Sequence, residues 1–540
     1  MKTAQVFVAL FTLLLCTRST QSENILGIFS YTFSTPYKVA KPYFEALVHN
    51  GHNVTIISSK ELLPDIENVR HIRVAGLDRI IEHIMNFDYS DCLYSKWKES
   101  LVASSFHYNM SHAILSDSGV QSLLHDKSEH FDMIVVEPTY SDALIGFAEH
   151  FNASLVGLST FGSSWLIDHL AGNSAPSVYR PIQPMGYSHG DSLLDKWNNW
   201  IYISEEWLID RLLILPGQLE LFTRHFQLPS SRLFERRTSY SLIMINQHFS
   251  LGRVRSNVPN VIEVAGMHMA EPSESLEPEL LDFVNGAEHG VIYFSMGMEI
   301  LNRWLPKNME QKMQQTFSQL KQRVVWKHEM HTMVNKSDNV FLSPMASQRQ
   351  LLEHPNMKLF ITHGGLLSTT EAAHSGVPML ALPIYFDQFD NVERMLKMGV
   401  ARKLDINTLT VELLTNNIKE LLQNPIYALK AKELSTRFRD QPTTALERAI
   451  WWTEYVLRHK GAPHMRMTDH DMAFVPYYKL NIFSILFGRI AFSGLVVLFA
   501  CIFAINFFLK EFQKIAEEPS VFYTSTCMKR KSETLLTVNR

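Results

Sequence analysis

Residues 358–388 read KLFITHGGLLSTTEAAHSGVPMLALPIYFDQ, and their order decides the fold. Lys358–Thr362 is a short apolar run of the kind buried in a parallel sheet. His363-Gly364-Gly365 breaks the run, a helix follows through Ser375, and Met379–Leu382 is the next apolar strand. Strand, glycine turn, helix and strand make one βαβ unit. The two glycines let the backbone approach a ligand closely, and the helix opening after them aims unpaired N–H groups at it. Such a corner suits a diphosphate. His363 can donate there to a phosphate oxygen, and Glu371, about two turns on, can accept from a ribose hydroxyl. Asp387 and Gln388, after the next strand, form an acceptor pair for the hydroxyls of a hexose.

The same alternation extends outward in both directions. Gly290–Ser295 and Arg323–Lys327 are apolar strands flanking a polar helix near Pro306–Leu320. At the other end, Ile25–Phe29 is a strand, Ser30–Thr35 a polar loop, Tyr37–His49 an amphipathic helix stopped by Asn50-Gly51, and Asn53–Ser58 a second strand. Phe131–Val136 is a further strand that ends at Glu137, with a helix to about His150 and a strand at Ser154–Leu158 after it. A chain of 540 residues exceeds one core, so two domains of roughly 200–250 residues are expected. The pattern predicts an α/β protein with two facing Rossmann-like, doubly wound domains at 23–270 and 283–465. They are joined by a Pro-, Ser- and Glu-rich linker at 271–282. A ligand then belongs in the cleft, at the carboxyl ends of the strands.

The termini set the topology. Lys2 precedes the apolar run Val6–Leu15, and Thr20 and Ser22 offer small residues for cleavage, so 1–22 reads as a secretory signal. Ile490–Leu509 is an uncharged run long enough to cross about 30 Å of hydrocarbon, with Arg489 and Lys510 at its ends. It follows a membrane-proximal segment at 466–489 and leaves a cytosolic tail at 510–540, whose Lys529-Arg530-Lys531 agrees with the positive-inside rule. The expected protein is a single-pass type I membrane protein with its bulk in the lumen of the endoplasmic reticulum. Of the cysteines, Cys16 leaves with the signal, Cys501 is in the membrane and Cys527 in the tail, so Cys92 has no lumenal partner for a disulfide. Four N-x-S/T sequons occur. Asn109, Asn152 and Asn335 are the glycosylation candidates, because Asn53 opens what reads as a buried strand. A net charge of −4 gives no reason to expect a nucleic-acid partner, and the 23 histidines form no metal-ligand spacing.

The ordered set Gln348–Pro355, Phe360–Gly365, Glu371, Gly376-Val377-Pro378 and Asp387-Gln388 resembles the donor-binding signature of the UDP-glycosyltransferases, the family that includes the UDP-glucuronosyltransferases. The resemblance covers nearly the whole chain, and Arg448–Tyr455 looks most like insect members. It implies the GT-B fold with a C-terminal transmembrane helix, a UDP-sugar as co-substrate, and neither metal nor cofactor. By the same resemblance Gln348 and Glu371 contact the nucleoside, and Ser295 and His363 the diphosphate. Asp387 and Gln388 hold the sugar, while Gly297, Gly364, Gly365 and Ser368 complete the donor site.

Three positions depart from the family pattern. Where the family carries a catalytic histidine at the mouth of the first helix, this sequence has Pro36, and no histidine lies between Glu23 and Val48. Proline suits the first turn of a helix, which explains its tolerance there but not the loss of the base. The acidic partner of that histidine falls on Glu137, with Asp142 as a second candidate. On the donor side, Met345 and Ser347 replace the usual Trp and Pro before Gln348, and Met298 stands where a small hydroxyl residue is usual. The resulting expectation is transfer of a hexose, glucose by the insect resemblance, to a small lipophilic acceptor, with amines favoured because they attack before losing a proton. The competing expectation is a degenerate member that binds a UDP-sugar or a lipophile, or that pairs with an active relative. Association with itself or with relatives is a further partner expectation.

Overall fold

The computed structural model describes residues 22–30, 34–64, 66–86, 96–173, 193–252, 257–270, 275–297, 306, 308–330, 333–334, 336–344, 346–384, 387–467 and 480–517. Nearly all of the signal segment, Cys92, Met298, Asn335, Met345 and the end of the tail lie outside the described residues. Residues up to Met472 form one compact unit and residues 473–540 a second.

The first unit is built on two parallel sheets. Strands β1 (Asn24–Ile28), β2 (Asn53–Ser58), β3 (Val69–Arg73), β4 (Met133–Val136), β5 (Ser154–Ser159), β6 (Leu242–Ile245) and β7 (Val261–Glu263) lie in the order 3-2-1-4-5-6-7. Strands β8 (Val291–Ser295), β9 (Arg323–Lys327), β10 (Val340–Ser343), β11 (Met357–Thr362), β12 (Met379–Ala381) and β13 (Ala401–Lys403) lie in the order 10-9-8-11-12-13. Central strands such as β4 and β8 are buried along their whole length because helices cover both faces, which is why they read as continuous apolar runs. In each sheet the winding reverses once, between β1 and β4 and between β8 and β11. Such switch points open a crevice at the carboxyl ends of the two strands.

Helix α1 (Ser34–His49) returns the chain from β1 to β2, with Pro36 buried in its first turn, where the fixed φ costs nothing. It buries Val39, Ala40, Tyr43, Phe44 and Leu47 on the first sheet. In the second half the site is carried by helices α2 (Gln348–Glu353), α3 (Leu366–Ser375) and α4 (Gln388–Lys397). The last helix of the unit, α5 (Ala445–Arg458), starts on a capping box between Thr444 and Glu447 and runs back onto the first sheet. Ala449, Ile450 and Val456 join the core that contains α1, and Tyr43 Oη lies 2.9 Å from Thr453 Oγ1. Residues 445–465 therefore pack with the first half, against their assignment to the second domain, because their apolar face fits the α1 surface. The linker expected at 271–282 likewise ends inside a helix, Pro278–Asn285.

In the second unit, α6 (Leu480–Glu517) contains a stretch, Leu486–Lys510, long and apolar enough to cross a membrane. It includes the expected span 490–509 and starts four residues earlier. Asn109 is exposed on a helix (Lys96–Ser116), and Asn152 is exposed in a left-handed turn with φ of 50°. Asn53 is also exposed, although the rest of β2 is buried, so burial does not set it apart from the other sequons.

Candidate active site

Both switch points carry the residues singled out in the sequence. In the first sheet β1 and β4 are adjacent, with Ile28 beside Val136 in register, so Ser30 and Glu137 follow the carboxyl ends of neighbouring strands. Ser30 Oγ and Ser141 Oγ, 3.2 Å apart, tie the two loops together. Glu137 is buried; its Oε1 accepts from Thr160 Oγ1 at 2.5 Å and from Thr160 N at 3.3 Å. Its Oε2 is buried without a hydrogen-bond partner among the described residues. Burial pushes the carboxyl up to about 7, against the pull of the Thr160 bonds. A carboxylate tuned near neutrality at a switch point is a candidate proton acceptor.

Asp142, the alternative acid, is placed differently. Its Oδ1 accepts from Arg237 Nε at 2.8 Å, and the same guanidinium makes a two-pronged contact with Asp210. All three side chains are buried. Asp142 is thus held in a buried ion cluster with Arg237 and Asp210, whereas Glu137 has no cationic partner among the described residues.

In the second sheet β8 and β11 are adjacent, with Ser295 beside Thr362 in register, so Ser295 and His363 end side by side. Ser295 Oγ accepts from Gly297 N at 3.2 Å. The His363 ring is wedged between two glycines. A Cβ on Gly297, whose φ is 88°, would stand 2.8 Å from His363 Cε1, and one on Gly365 would stand 2.5 Å from His363 Nε2. These glycines are required by the imidazole as much as by any ligand. Burial lowers the His363 pKa to about 4, and the Lys327 ammonium adds to the effect, so the ring is neutral and can donate from one nitrogen. Its Nδ1 is buried without a partner among the described residues.

Gln348 opens α2 and spans to α3: its Nε2 donates to Glu371 Oε2 at 2.8 Å and to Ser368 Oγ at 3.2 Å. Gly364, with φ of 84°, turns the chain into α3, whose first N–H groups face the crevice. Asp387 sits at the start of α4, its Oδ2 accepting from Asn391 Nδ2 at 2.7 Å, and burial raises its pKa. Gln388 Oε1 accepts from Ile384 N at 2.8 Å, which ties that side chain to its own loop.

Several site residues carried no decisive signal in the sequence. Lys327 ends β9 and is brought down to about 8, by burial first and then by Lys38. Lys38 stands two residues after Pro36 on α1 and acts electrostatically on both Lys327 and Glu371, so the mouth of α1 faces the second half. Leu367 of α3 also packs into the core of the first half. A polar residue closing a buried strand, the cue that marked Glu137, would have marked Lys327 too. The same cue fits Thr160, directly after β5, while His268 had none.

A family model described as UDP-glucoronosyl and UDP-glucosyl transferase matches residues 45–515. UDP-glycosyltransferase UGT4 of Dactylopius coccus is 31% identical over 489 residues, spanning 90% of this chain and 94% of the relative. UDP-glucosyltransferase 2 of the same organism is 28% identical, spanning 92% and 95%. Among solved structures, the glycosyltransferase VinC in complex with dTDP superposes with a TM-score of 0.52 at 15% identity, covering 81% of this chain and all of that one, a likeness of fold. Two parallel sheets wound in this order are the GT-B arrangement expected above. With the family model matched over most of the chain and the fold shared with glycosyltransferases, the protein belongs to the UDP-glucoronosyl and UDP-glucosyl transferase family and is a glycosyltransferase.

Proposed function

We propose that the protein transfers a hexose, glucose, from a UDP-sugar to a small lipophilic acceptor, with Glu137 taking over the proton chemistry that a histidine at position 36 would perform. The observation that carries this is Glu137 itself: a buried carboxyl at the first switch point, raised to about 7, with one oxygen lacking a partner among the described residues. The donor is taken by the second switch point. Gln348 and Glu371 meet the nucleoside, Ser295, Ser368, His363 and the start of α3 the diphosphate, and Asp387 and Gln388 the sugar. The name of the insect glucosyltransferase relative supports glucose, and the dTDP bound in VinC supports a nucleoside diphosphate in this kind of crevice.

In the reaction the bond from the sugar C1 to the β-phosphate oxygen breaks as the acceptor atom bonds to C1. The electron pair leaves with UDP, whose developing charge is met by the α3 N–H groups and a neutral donor at His363. A hydroxyl acceptor gives its proton to Glu137. An amine attacks through its lone pair and loses its proton afterwards, so it depends less on that base. This ordering is the basis for expecting amines to be favoured. The apolar helix at Leu486–Lys510 anchors the chain, and the body is assigned to the lumen of the endoplasmic reticulum.

The test is a panel of labelled UDP-sugars with matched phenol and amine acceptors, run on membranes carrying the full chain. Transfer from UDP-glucose, faster to amines than to phenols and lost in Glu137→Gln for phenols, supports the reading. UDP binding with no transfer to either class would instead indicate a binding protein.

A further inference from the structure

Glu371, read above as the ribose carboxylate, is held from two sides. Gln348 donates to its Oε2 at 2.8 Å. On the other side His268 Nε2 stands 3.3 Å from Oε1, with both side chains buried. His268 belongs to the first half of the chain. It lies on a single turn, Met267–Met269, directly after β7, and Met267 is packed in the core that contains α1. Glu371 belongs to α3 in the second half.

The surroundings of the imidazole argue against a purely structural role. A buried histidine that serves packing ordinarily has both ring nitrogens satisfied. Both His268 ring nitrogens are buried without a hydrogen bond among the described residues; Nε2 stands at ion-pair distance from the carboxylate, longer than a well-formed charge-assisted bond. The contact with Glu371 is therefore the ring's chief polar engagement, with room to tighten. Contacts of this kind are often long in ligand-free sites and shorten in the complex. The carboxylate responds accordingly: burial works to raise its pKa, yet the contact with His268 first, then Lys38 and Gln348, hold it below the ordinary glutamate value. An ionised, doubly anchored carboxylate still has lone pairs to accept from two adjacent hydroxyls.

We propose that His268 is a positioning residue for the donor: it fixes Glu371 Oε1 from across the cleft, so that ribose recognition requires the two halves to be in register. This rests on the reading of Glu371 as the ribose carboxylate, and it adds a second partner, from the other half of the protein, to that subsite. A donor that engages Glu371 then also stabilises the arrangement in which α1 and the acceptor side face it.

The experiment measures binding of UDP and of its 2′,3′-dideoxy analogue to the detergent-solubilised full chain by calorimetry. His268→Phe keeps the ring and removes both nitrogens; His268→Gln keeps an N–H donor. Removing one hydrogen bond to a charged group is worth about a tenfold change in affinity. His268→Phe is expected to weaken UDP about tenfold and to leave the dideoxy analogue unchanged, while His268→Gln restores most of the UDP affinity. In combination with Glu371→Gln, His268→Phe should add little further loss. Equal weakening of both nucleotides in His268→Phe, or full additivity with Glu371→Gln, would overturn the proposal. Should His268→Phe fail to fold, a His268→Gln protein that loses the preference for UDP over the dideoxy analogue overturns it as well. The underlying reading fails separately, if Glu371→Gln keeps the wild-type preference for UDP.

Discussion

Glu137 and Thr160, at the carboxyl ends of the adjacent strands β4 and β5, are joined by a 2.5 Å hydrogen bond from Thr160 Oγ1 to Glu137 Oε1. This bond lowers a pKa that burial raises, and the balance leaves the carboxyl at about 7. A base must be ionised, so kcat/KM for a phenol is expected to rise with pH through about 7. Thr160→Val removes the lowering contribution and should move that limb to higher pH. A limb that stays in place in Thr160→Val, measured from initial rates between pH 5.5 and 9, would separate Glu137 from the reaction.

Glu137→Gln should cost phenol transfer about 10²–10⁴-fold, the usual range for general-base help. Amine transfer should fall by less than about tenfold, since attack there precedes proton loss. Equal losses on both acceptor classes, from parallel initial rates, would count against the assignment.

The same side chain makes a stability prediction with a definite sign. The folded pKa, about 7, lies above the ordinary glutamate value of 4.5, so the folded state binds the extra proton between those two values. Its contribution to stability is then most favourable below about 4.5 and falls as pH rises towards 7, by about 3 kcal/mol at one unit per 1.36 kcal/mol. Glu137→Gln carries no such penalty. Its Tm should exceed that of the wild type at pH 8, and the gap should close towards pH 5 in paired thermal melts.

Pro36 is buried in the first turn of α1, at the mouth of the helix that faces the second half. Pro36→His should therefore gain phenol transfer while leaving UDP affinity within about twofold, with Glu137 as the acid partner of the new imidazole. A variant that binds UDP and gains nothing would show that position 36 does not face the acceptor.

The glycines around His363 predict a donor-side defect. A Cβ at Gly365 would stand 2.5 Å from His363 Nε2, so Gly365→Ala must push the ring off its place. Donor KM should rise at least tenfold with a small change in Tm, because the clash is relieved by moving a side chain into the crevice. Unchanged donor KM would mean that the ring does not serve the diphosphate.

Arg237 neutralises the two buried carboxylates Asp142 and Asp210. Arg237→Met strands Asp142 and leaves Asp210 only Arg211, whose Nε is 3.9 Å away, and breaking a buried pair by removing one partner costs about 3–5 kcal/mol. Asp142→Asn should be milder and should leave kcat per folded molecule within a few-fold. A Glu137-sized loss in folded Asp142→Asn would return that residue to the reaction.

The second half was legible because its signals are local. Lys358–Thr362, the glycine turn, Glu371 and Asp387-Gln388 follow one another over 31 residues, and each lies at the end of an element whose type can be read from its own sequence. The strands that escaped notice, β3, β6, β7, β10 and β13, are three to five residues long. Length alone did not hide them, since β4 and β12 are as short; β3 and β13 carry basic residues at sheet edges, where burial is weak, and so do not read as apolar runs. The return of α5 to the first sheet was hidden for a related reason: an amphipathic helix states which face is apolar, not which surface will cover it.

By itself, then, the sequence determined the two βαβ halves, the long apolar run near the end and the order of Gln348, His363, Glu371 and Asp387-Gln388, because these depend on residue type and short spacing. The tertiary structure decided what depends on distant chain segments meeting. It set Glu137 and Asp142 apart, since only packing brings Arg237 to Asp142 and leaves Glu137 beside Thr160. It assigned the glycines to the His363 ring and brought His268 to Glu371 across about a hundred residues of chain. Burial sets the charge state of each of these groups, and burial is a property of the assembled fold.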